Sequence, residues 1–487
     1  MKGQCGLHCD LKGLTECSSG CSDPHTDPKN CGHCGNDCGP ERACRQGACE
    51  CDAGKTWYNG HCIDTQTDHD NCGLLTFACG YDELCEKGEC GCRPGTTRCN
   101  GVCWNTSVSA FNCGACGVRC SVGSVCTYGV CEAPSSDWPT FGHDLAHSGE
   151  NTAETGEPPL TFAWEERRVH VRAPNYPVVS GGRLYLTHEV GGGLYAFNVS
   201  DAHELWFVGV GTHPVARGIP SVFSDTIYVV DSGGWSELPT LWAFGTQGED
   251  QYLWHAPLPD AQRNFGVPLR VGNTVFTNTG TAGGLSGFDA SDGSQQFLQP
   301  LEPGYDAWSP AYFSGRIYTF AAGHFRAHDP NTGAIQSQLD LTWTAGENTR
   351  AVPVFNANRA FVVAPPTLVA IDPAANAIAW TASEAYTGTP AVSGSLVFAI
   401  SAGKLVVRDA GSGSLAWSFA GDGQLSYPPV IANRYVYVAS DENLYAVDIS
   451  THLAVDHKPI GGWLIVANHR LIVAPKDKLV TAYVLSK

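Results

Sequence analysis

The residues most able to do chemistry are the cysteines: 23 of them, all between Cys5 and Cys131. Two chemistries compete for them. Cys31-x2-Cys34 and Cys113-x2-Cys116 have the spacing of tetrahedral zinc ligands. Against zinc stands the count, because a unit of about 41 residues holding up to eight cysteines exceeds what one four-ligand site uses. The middle unit also lacks the C-x2-C, with Tyr58 where its neighbours carry Cys17 and Cys99, and Leu75 where they carry Cys34 and Cys116. Two positions lost together is how a disulfide disappears, since losing one half would leave a free thiol. The pairs Cys17–Cys34 and Cys99–Cys116 are therefore expected, and the metal expectation is none. The pairing of the other six cysteines per unit stays open, because spacing alone does not choose among connectivities. Cys5 is left over: it has lost an upstream partner, is a lipid-anchor cysteine, or is free. No Cys-x2-Cys-His haem motif occurs. Asp64, Asp68 and Asp70 could hold calcium, or simply set the tight turns before each cysteine as Asp, Asn and Pro commonly do.

Outside the cysteine region the catalytic signals are thin. His143 and His147 stand four apart, which would suit a metal on a helix, but Pro139 and Gly142 oppose a helix there. Asp231-Ser232-Gly233-Gly234 imitates part of a serine-protease nucleophile loop, with no assignable His and Asp partners. No Gly-rich phosphate loop with its Lys is present. With 29 basic against 48 acidic residues the net charge is −19, which repels phosphates and argues against nucleic acid. No stretch reaches 18 continuous apolar residues, so no transmembrane span is expected. Dense cysteine belongs to oxidising compartments and to small folds with too little core, so a secreted, periplasmic or cell-surface protein is expected.

Two repeats must position these residues. In the N-terminal part Cys21, Cys62 and Cys103 are 41 apart, and so are Cys31, Cys72 and Cys113. Residues 1–131 thus read as three disulfide-rich units, with Glu132 to Asp137 as a short linker on which they could hinge. From Trp138 a second repeat begins. Strand-like runs read Leu194-Tyr-Ala-Phe-Asn198, Leu241-Trp-Ala-Phe-Gly245, Leu285-Ser-Gly-Phe-Asp289 and Phe325-Arg-Ala-His-Asp329. They continue as Leu368-Val-Ala-Ile-Asp372, Leu405-Val-Val-Arg-Asp409, Leu444-Tyr-Ala-Val-Asp448 and Leu479-Val-Thr-Ala-Tyr483. Each follows a second apolar run, and most precede an aromatic such as Trp206, Trp254, Phe297, Trp380 or Trp417. Three or four strands per repeat, eight times over, predict an all-β fold: an eight-bladed β-propeller over 138–487 behind a small disulfide-rich repeat domain. The last repeat ends one strand short. Leu160-Thr-Phe-Ala-Trp164 has the fourth-strand pattern and is expected to pair with the strand around Leu479–Val484 and close the ring.

Both halves resemble known families. The runs Asn-Cys-Gly-x2-Cys-Gly-x2-Cys and Cys-x4-Gly-x-Cys-x-Cys resemble tandem cysteine-rich repeats of bacterial surface proteins and of plant stigma-specific secreted proteins. The propeller repeat, and the opening Trp138-Pro-Thr-Phe-Gly-His-Asp144-x2-His147-Ser-Gly149, are similar to the pyrroloquinoline-quinone-type propeller superfamily. That superfamily holds quinoprotein alcohol and glucose dehydrogenases, and also cofactor-free propellers, including a scaffold of outer-membrane barrel assembly. The resemblance implies that Trp206, Trp254, Trp380 and Trp417 dock one blade onto the next. Its dehydrogenases clamp the quinone with a vicinal cysteine pair and a stacking Trp beside a calcium. Residues 132–487 hold no cysteine, so no cofactor is expected, with pyrroloquinoline quinone and calcium as the alternative.

Binding is then the expected function. Loops from one blade's last strand to the next blade's first gather at one mouth of the channel. Here they carry His213, Arg217, Arg263, Asn264, Tyr305, Asp306, Trp308, Trp343, Glu347, Asn348, Arg350, Tyr386, Tyr427 and Trp463. Aromatics among Arg, Asn and carboxylates suit a protein or glycan partner at the cell surface. The insertion Asp231–Thr240, with Trp235 and Pro239, is a second docking candidate. The alternative is an enzyme at the propeller mouth, a quinoprotein-like oxidoreductase or a glycan-acting enzyme.

Overall fold

The computed structural model describes residues 9, 14–18, 20–80, 83–121, 124–166, 175–187, 193–209, 218–231, 238–248, 252–259, 266–279, 283–302, 308–342, 352–476 and 479–486. They form two compact units, Met1–Thr106 and Ser107–Lys487.

The first unit is a string of two-stranded hairpins with almost no apolar interior. Thr15–Cys17 pairs with Gly20–Ser22, Ala43–Arg45 with Ala48–Glu50, and Thr56–Tyr58 with His61–Ile63. Its deepest side chains are half-cystines, such as Cys31 at 0% and Cys38 at 1% exposed. One connectivity repeats along the chain. Cys31–Cys44 recurs as Cys72–Cys85, Cys38–Cys49 as Cys79–Cys90, and Cys51–Cys62 as Cys92–Cys103. Cys9–Cys21 and Cys17–Cys34 complete the first repeat, and Cys99 and Cys116 each stand in a disulfide. Cross-links replace the core that so short a chain cannot bury. The carboxylates act locally: Asp64 accepts from the Gln66 N–H, and Asp68 from the Asp70 N–H and the Asn71 amide.

The second unit is a ring of eight blades among the described residues. The innermost strands are Val178–Ser180, Ser221–Phe223, Leu269–Val271, Ala311–Phe313, Val354–Phe355, Tyr386–Ser393, Val430–Ala432 and Trp463–Ala467, which begin blades 1 to 8 in order. Each blade then runs outward through antiparallel neighbours, as in blade 1 through Arg183–Thr187, Leu194–Asn198 and Glu204–Val208. Blade 8 has only Trp463–Ala467, Arg470–Ala474 and Thr481–Ser486 from the C-terminal end. Its outer strand is Glu157–Glu165, with Trp164 opposite Ala482 and Phe162 opposite Tyr483. The two ends of the ring thus share one sheet, which leaves no unpaired gap between the last blade and the first.

Indoles hold successive blades together. The Trp164, Trp254 and Trp380 N–H groups donate to the carbonyls of Val199, Ala290 and Ala410, at 3.0, 2.9 and 3.0 Å, each in a hairpin of the following blade. In the hairpins that receive Trp254 and Trp380 a glycine makes room. A Cβ on Gly413 would come within 2.6 Å of the Trp380 ring.

Residues 138–151 form a hub across one end of the channel. Trp138 exchanges both main-chain hydrogen bonds with Val179 of blade 1. The N–H groups of Val222, Tyr312, Phe355, Val392 and Ile431, from blades 2, 4, 5, 6 and 7, donate to the carbonyls of Pro139, Leu145, Ala146, Ser148 and Gly149. The Asn151 amide reaches Val466 of blade 8 at 2.8 Å. The segment can spiral this way because Gly142, His143, His147 and Gly149 all turn at positive φ. Asp144 fixes the turn, accepting from the N–H groups of Ala146 and Ser148. His147 is 1% exposed and lies between the carbonyls of Phe141 at 2.6 Å and Pro310 at 2.9 Å.

Residues 107–137 pack with the same unit. Val108 and Val125 belong to its core cluster. Ser136 donates to Glu154 at 2.8 Å, and the Asn468 N–H donates to the Ser136 carbonyl.

Candidate functional site

The hub pairs with the innermost strands beside their first hairpins, so it closes that end of the channel. The opposite end is where each outer strand hands over to the next inner strand. Three rings meet there. Trp463 opens the inner strand of blade 8, Tyr427 precedes that of blade 7, and Tyr176 precedes that of blade 1. Trp463 meets Tyr427 edge-on with centroids 5.1 Å apart, and meets Tyr176 the same way at 5.7 Å. Prolines 428, 429 and 177 shape these entries, since Pro both fixes φ and restricts the residue before it.

The cluster is tied to the hub beneath it. The Trp138 indole donates to the Tyr176 hydroxyl at 2.7 Å, and Phe141 packs on the Tyr176 ring at 4.8 Å. Between hub and inner strands remains a cavity of about 10 Å³ lined by Phe141, His147, Pro390 and Pro429, room for roughly one water. Tyr427 donates to Asp441 at 2.8 Å, which fixes its ring while leaving it partly exposed. Among the described residues this end carries a packed aromatic sector on which Tyr427 and Trp463 are partly exposed. It can grip a partner by ring faces and edges.

Two other mouth candidates lie deeper. Trp308 is 5% exposed within a core cluster, and its carbonyl accepts from Asn278. Tyr386 is 1% exposed; the Arg408 guanidinium donates to its hydroxyl at 2.6 Å and forms an ion pair with Glu384. Of the fourteen candidates the structure therefore brings Tyr427 and Trp463 together and buries Trp308 and Tyr386 between blades. His213, Arg217, Arg263, Asn264, Tyr305, Asp306, Trp343, Glu347, Asn348 and Arg350 lie outside the described residues. So do Cys5, Ser232, Gly233, Gly234 and Trp235. Asp231 uses its carboxylate structurally, accepting from the Thr240 N–H at 3.1 Å and the Trp242 indole at 2.7 Å.

One feature escaped the sequence. On the hub side of blades 4 to 6 lies an open cleft of about 1060 Å³, lined by Phe313, Arg316, Asn356, Arg359, Asp372 and Asp409. Arg359 is ion-paired with Asp372 at 3.1 Å, so the cleft is of mixed charge. Its residues come from hairpin turns of three blades, which no single motif marks.

The vicinal-cysteine clamp of the quinoprotein dehydrogenases does not fit this ring. Residues 132–487 hold no cysteine, and Trp138, Phe141 and His147 fill the hub end of the channel. Among the described residues, the groups that could hold a metal consist of cysteines already in disulfides, with Glu83 beside one pair.

Comparison with known proteins agrees with both resemblances. A family described as outer membrane protein assembly factor BamB matches residues 321–462, and the stigma-specific STIG1-like protein family matches residues 91–134. No curated protein matches the sequence. Among solved structures, BamB from Moraxella catarrhalis is 17% identical with a TM-score of 0.56, covering 67% of this chain and 100% of that one. A quinohemoprotein alcohol dehydrogenase from Pseudomonas putida HK5 is 12% identical with a TM-score of 0.57, covering 72% and 80%. A europium-containing methanol dehydrogenase is 13% identical with a TM-score of 0.54, covering 68% and 86%. At these identities the likeness is one of fold, that of the eight-bladed propeller.

Proposed function

We propose that this protein is a binding platform of an oxidising, extracytoplasmic compartment, and that a protein segment is its ligand at the mouth carrying Tyr427 and Trp463. The observation that carries the reading is the asymmetry of the ring. The hub closes one end, and residues 107–137 pack on the hub-side hairpins of blades 8 and 1; the other end presents a rigid aromatic sector. The fold of an outer membrane protein assembly factor, shared over the whole length of that chain, supports a protein partner. The disulfides support the compartment, and among the described residues no helix is long and apolar enough to cross a membrane.

The test is binding of the full chain to a peptide array and a glycan array in parallel. Peptides are retained, and replacing Tyr427 and Trp463 together by Ala weakens retention about tenfold or more. Retention of glycans alone, or peptide binding indifferent to the two replacements, overturns the reading. Catalysis at the same mouth is the second reading, supported by the fold shared with two alcohol-oxidising enzymes. Dye reduction by an alcohol after addition of the quinone and calcium would establish it.

A further inference from the structure

The cleft of about 1060 Å³ on the hub side of blades 4 to 6 lies across hairpin turns that are fixed by their own hydrogen bonds. The Asn356 side-chain oxygen accepts from the N–H groups of Asn358 and Arg359 at 3.0 and 2.9 Å. Its amide nitrogen donates to the Gly394 carbonyl of blade 6 at 3.4 Å. In blade 6 the Ala410 N–H donates to the Ser395 carbonyl at 2.7 Å. The Phe313 ring of blade 4 stacks on Phe355 of blade 5, with centroids 4.8 Å apart and planes 13° apart. Walls held in this way lose little freedom when a ligand arrives.

Two guanidiniums stand in the cleft with donors to spare. Arg359 uses Nη1 for Asp372 and for the Asn358 carbonyl, both at 3.1 Å. Among the described residues nothing accepts from its Nη2, and its Nε is buried without a partner. Arg316 is exposed beside the Tyr318 hydroxyl and forms no ion pair among the described residues. Comparable arginines of other blades are engaged. Arg183, at the matching place in blade 1, donates to Gln247 at 3.0 Å, and Arg434, in the first hairpin of blade 7, pairs with Asp448 at 3.3 Å. The carboxylates of the cleft are partly taken. Asp372 accepts from Arg359 and from the N–H groups of Ala374 and Ala375. Asp409 accepts from the Ser412 N–H and hydroxyl through Oδ1, at 2.8 and 2.7 Å, so Oδ2 is the oxygen that faces no donor among the described residues.

We propose that this cleft binds an acidic oligosaccharide, with its carboxylate on Arg316 and Arg359 and its hydroxyls on Asp409 and Asn358. A planar guanidinium edge matches a carboxylate. Hydroxyls both donate and accept, so a ligand carrying both groups meets the arginine donors and the Asp409 acceptor together. An acidic peptide offers side-chain carboxylates without the hydroxyls. Phe313 supplies a ring for the C–H face of a sugar. The cleft is open, polar and at the upper end of the volumes that take a single small molecule, which suits several linked rings. The net charge of −19 works against polyanions at large, so recognition rests on these two arginines. The site is independent of the mouth carrying Tyr427 and Trp463.

The experiment is calorimetric titration of the full chain with tetragalacturonate, the neutral galactose tetramer, tetraglutamate and inorganic sulfate. Tetragalacturonate binds about tenfold more tightly or better than each of the others. Arg316→Gln with Arg359→Gln weakens it about tenfold or more, and Tyr427→Ala with Trp463→Ala leaves it unchanged. Should the double variant fail to fold, Arg316→Gln alone, at an exposed position, weakens binding about fivefold. No binding of tetragalacturonate, equal binding of the neutral tetramer, or binding indifferent to the arginine replacements overturns the proposal. Equal binding of tetraglutamate or sulfate overturns the assignment to a saccharide. Loss on replacing Tyr427 and Trp463 overturns the placement in the cleft.

Discussion

The Trp254 indole donates to the Ala290 carbonyl of the next blade, and a Cβ on Gly293 would stand 2.4 Å from that indole. The hydrogen bond and the missing side chain form one docking device. Trp254→Ala is expected to destabilise the propeller by about 3–5 kcal/mol, since the indole is 5% exposed. Gly293→Ala adds overpacking to a left-handed backbone and should cost about 3 kcal/mol. Gly423 has nearly the same φ, 76° against 75°, but nothing within 4 Å of its Cβ position, so Gly423→Ala should cost only about 1–2 kcal/mol. Chemical denaturation of the three variants checks the order.

His328 gives the fold an acid limit. It is 0% exposed, with its ring nitrogens 2.9 Å from the Thr319 hydroxyl and 2.9 Å from the Gly333 carbonyl. Burial pushes its imidazole down to about 4. A folded value below the unfolded one of about 6.5 means stability that is present above that pH and lost as pH falls toward 4. The loss from this group is about 3 kcal/mol. Denaturation midpoints at pH 7.5 and pH 4 should differ less in His328→Gln than in the unaltered chain, and equal differences would refute the assignment.

The hub is expected to protect amides blade by blade. The N–H groups of Val222, Tyr312, Phe355, Val392 and Ile431 all end on it, so they should exchange among the slowest in the molecule. His147→Ala removes the ring lying between Phe141 and Pro310 and should cost about 2–3 kcal/mol, speeding all five together. Fast exchange at these five sites in the unaltered chain would mean the channel is open at both ends.

The blades were legible because their information is in side chains. Leu194-Tyr-Ala-Phe-Asn198 and its seven relatives alternate toward successive interfaces, and the aromatic that follows fills a repeated slot. The hub was not legible, because its work is done by main-chain carbonyls of residues as ordinary as Leu145 and Ala146. The tie between the last cysteine-rich repeat and blade 8 was equally hidden: Arg470 looks like any strand residue until the Cys126 carbonyl, to which its guanidinium donates, is placed beside it. Residues 132–137 have a linker's composition, yet the Ser135 and Ser136 N–H groups both reach the Asn468 side chain. Loop aromatics were ambiguous for a physical reason. Trp308 and Trp463 read alike in sequence, and only the packing of neighbouring blades buries the first and leaves the second partly open.

Site-specific photo-cross-linking puts the central claim to its most direct test. A photoreactive side chain would replace Tyr427 in the aromatic sector or, in a second chain, Asn358 on the hub side of blade 5, and both would be irradiated in the fraction of the source cells that contains the protein. A protein adduct from position 427 that is absent from position 358, and is competed by the unaltered chain, is the predicted outcome. Adducts from position 358 alone would contradict it, because the partner would then sit on the face that the hub closes.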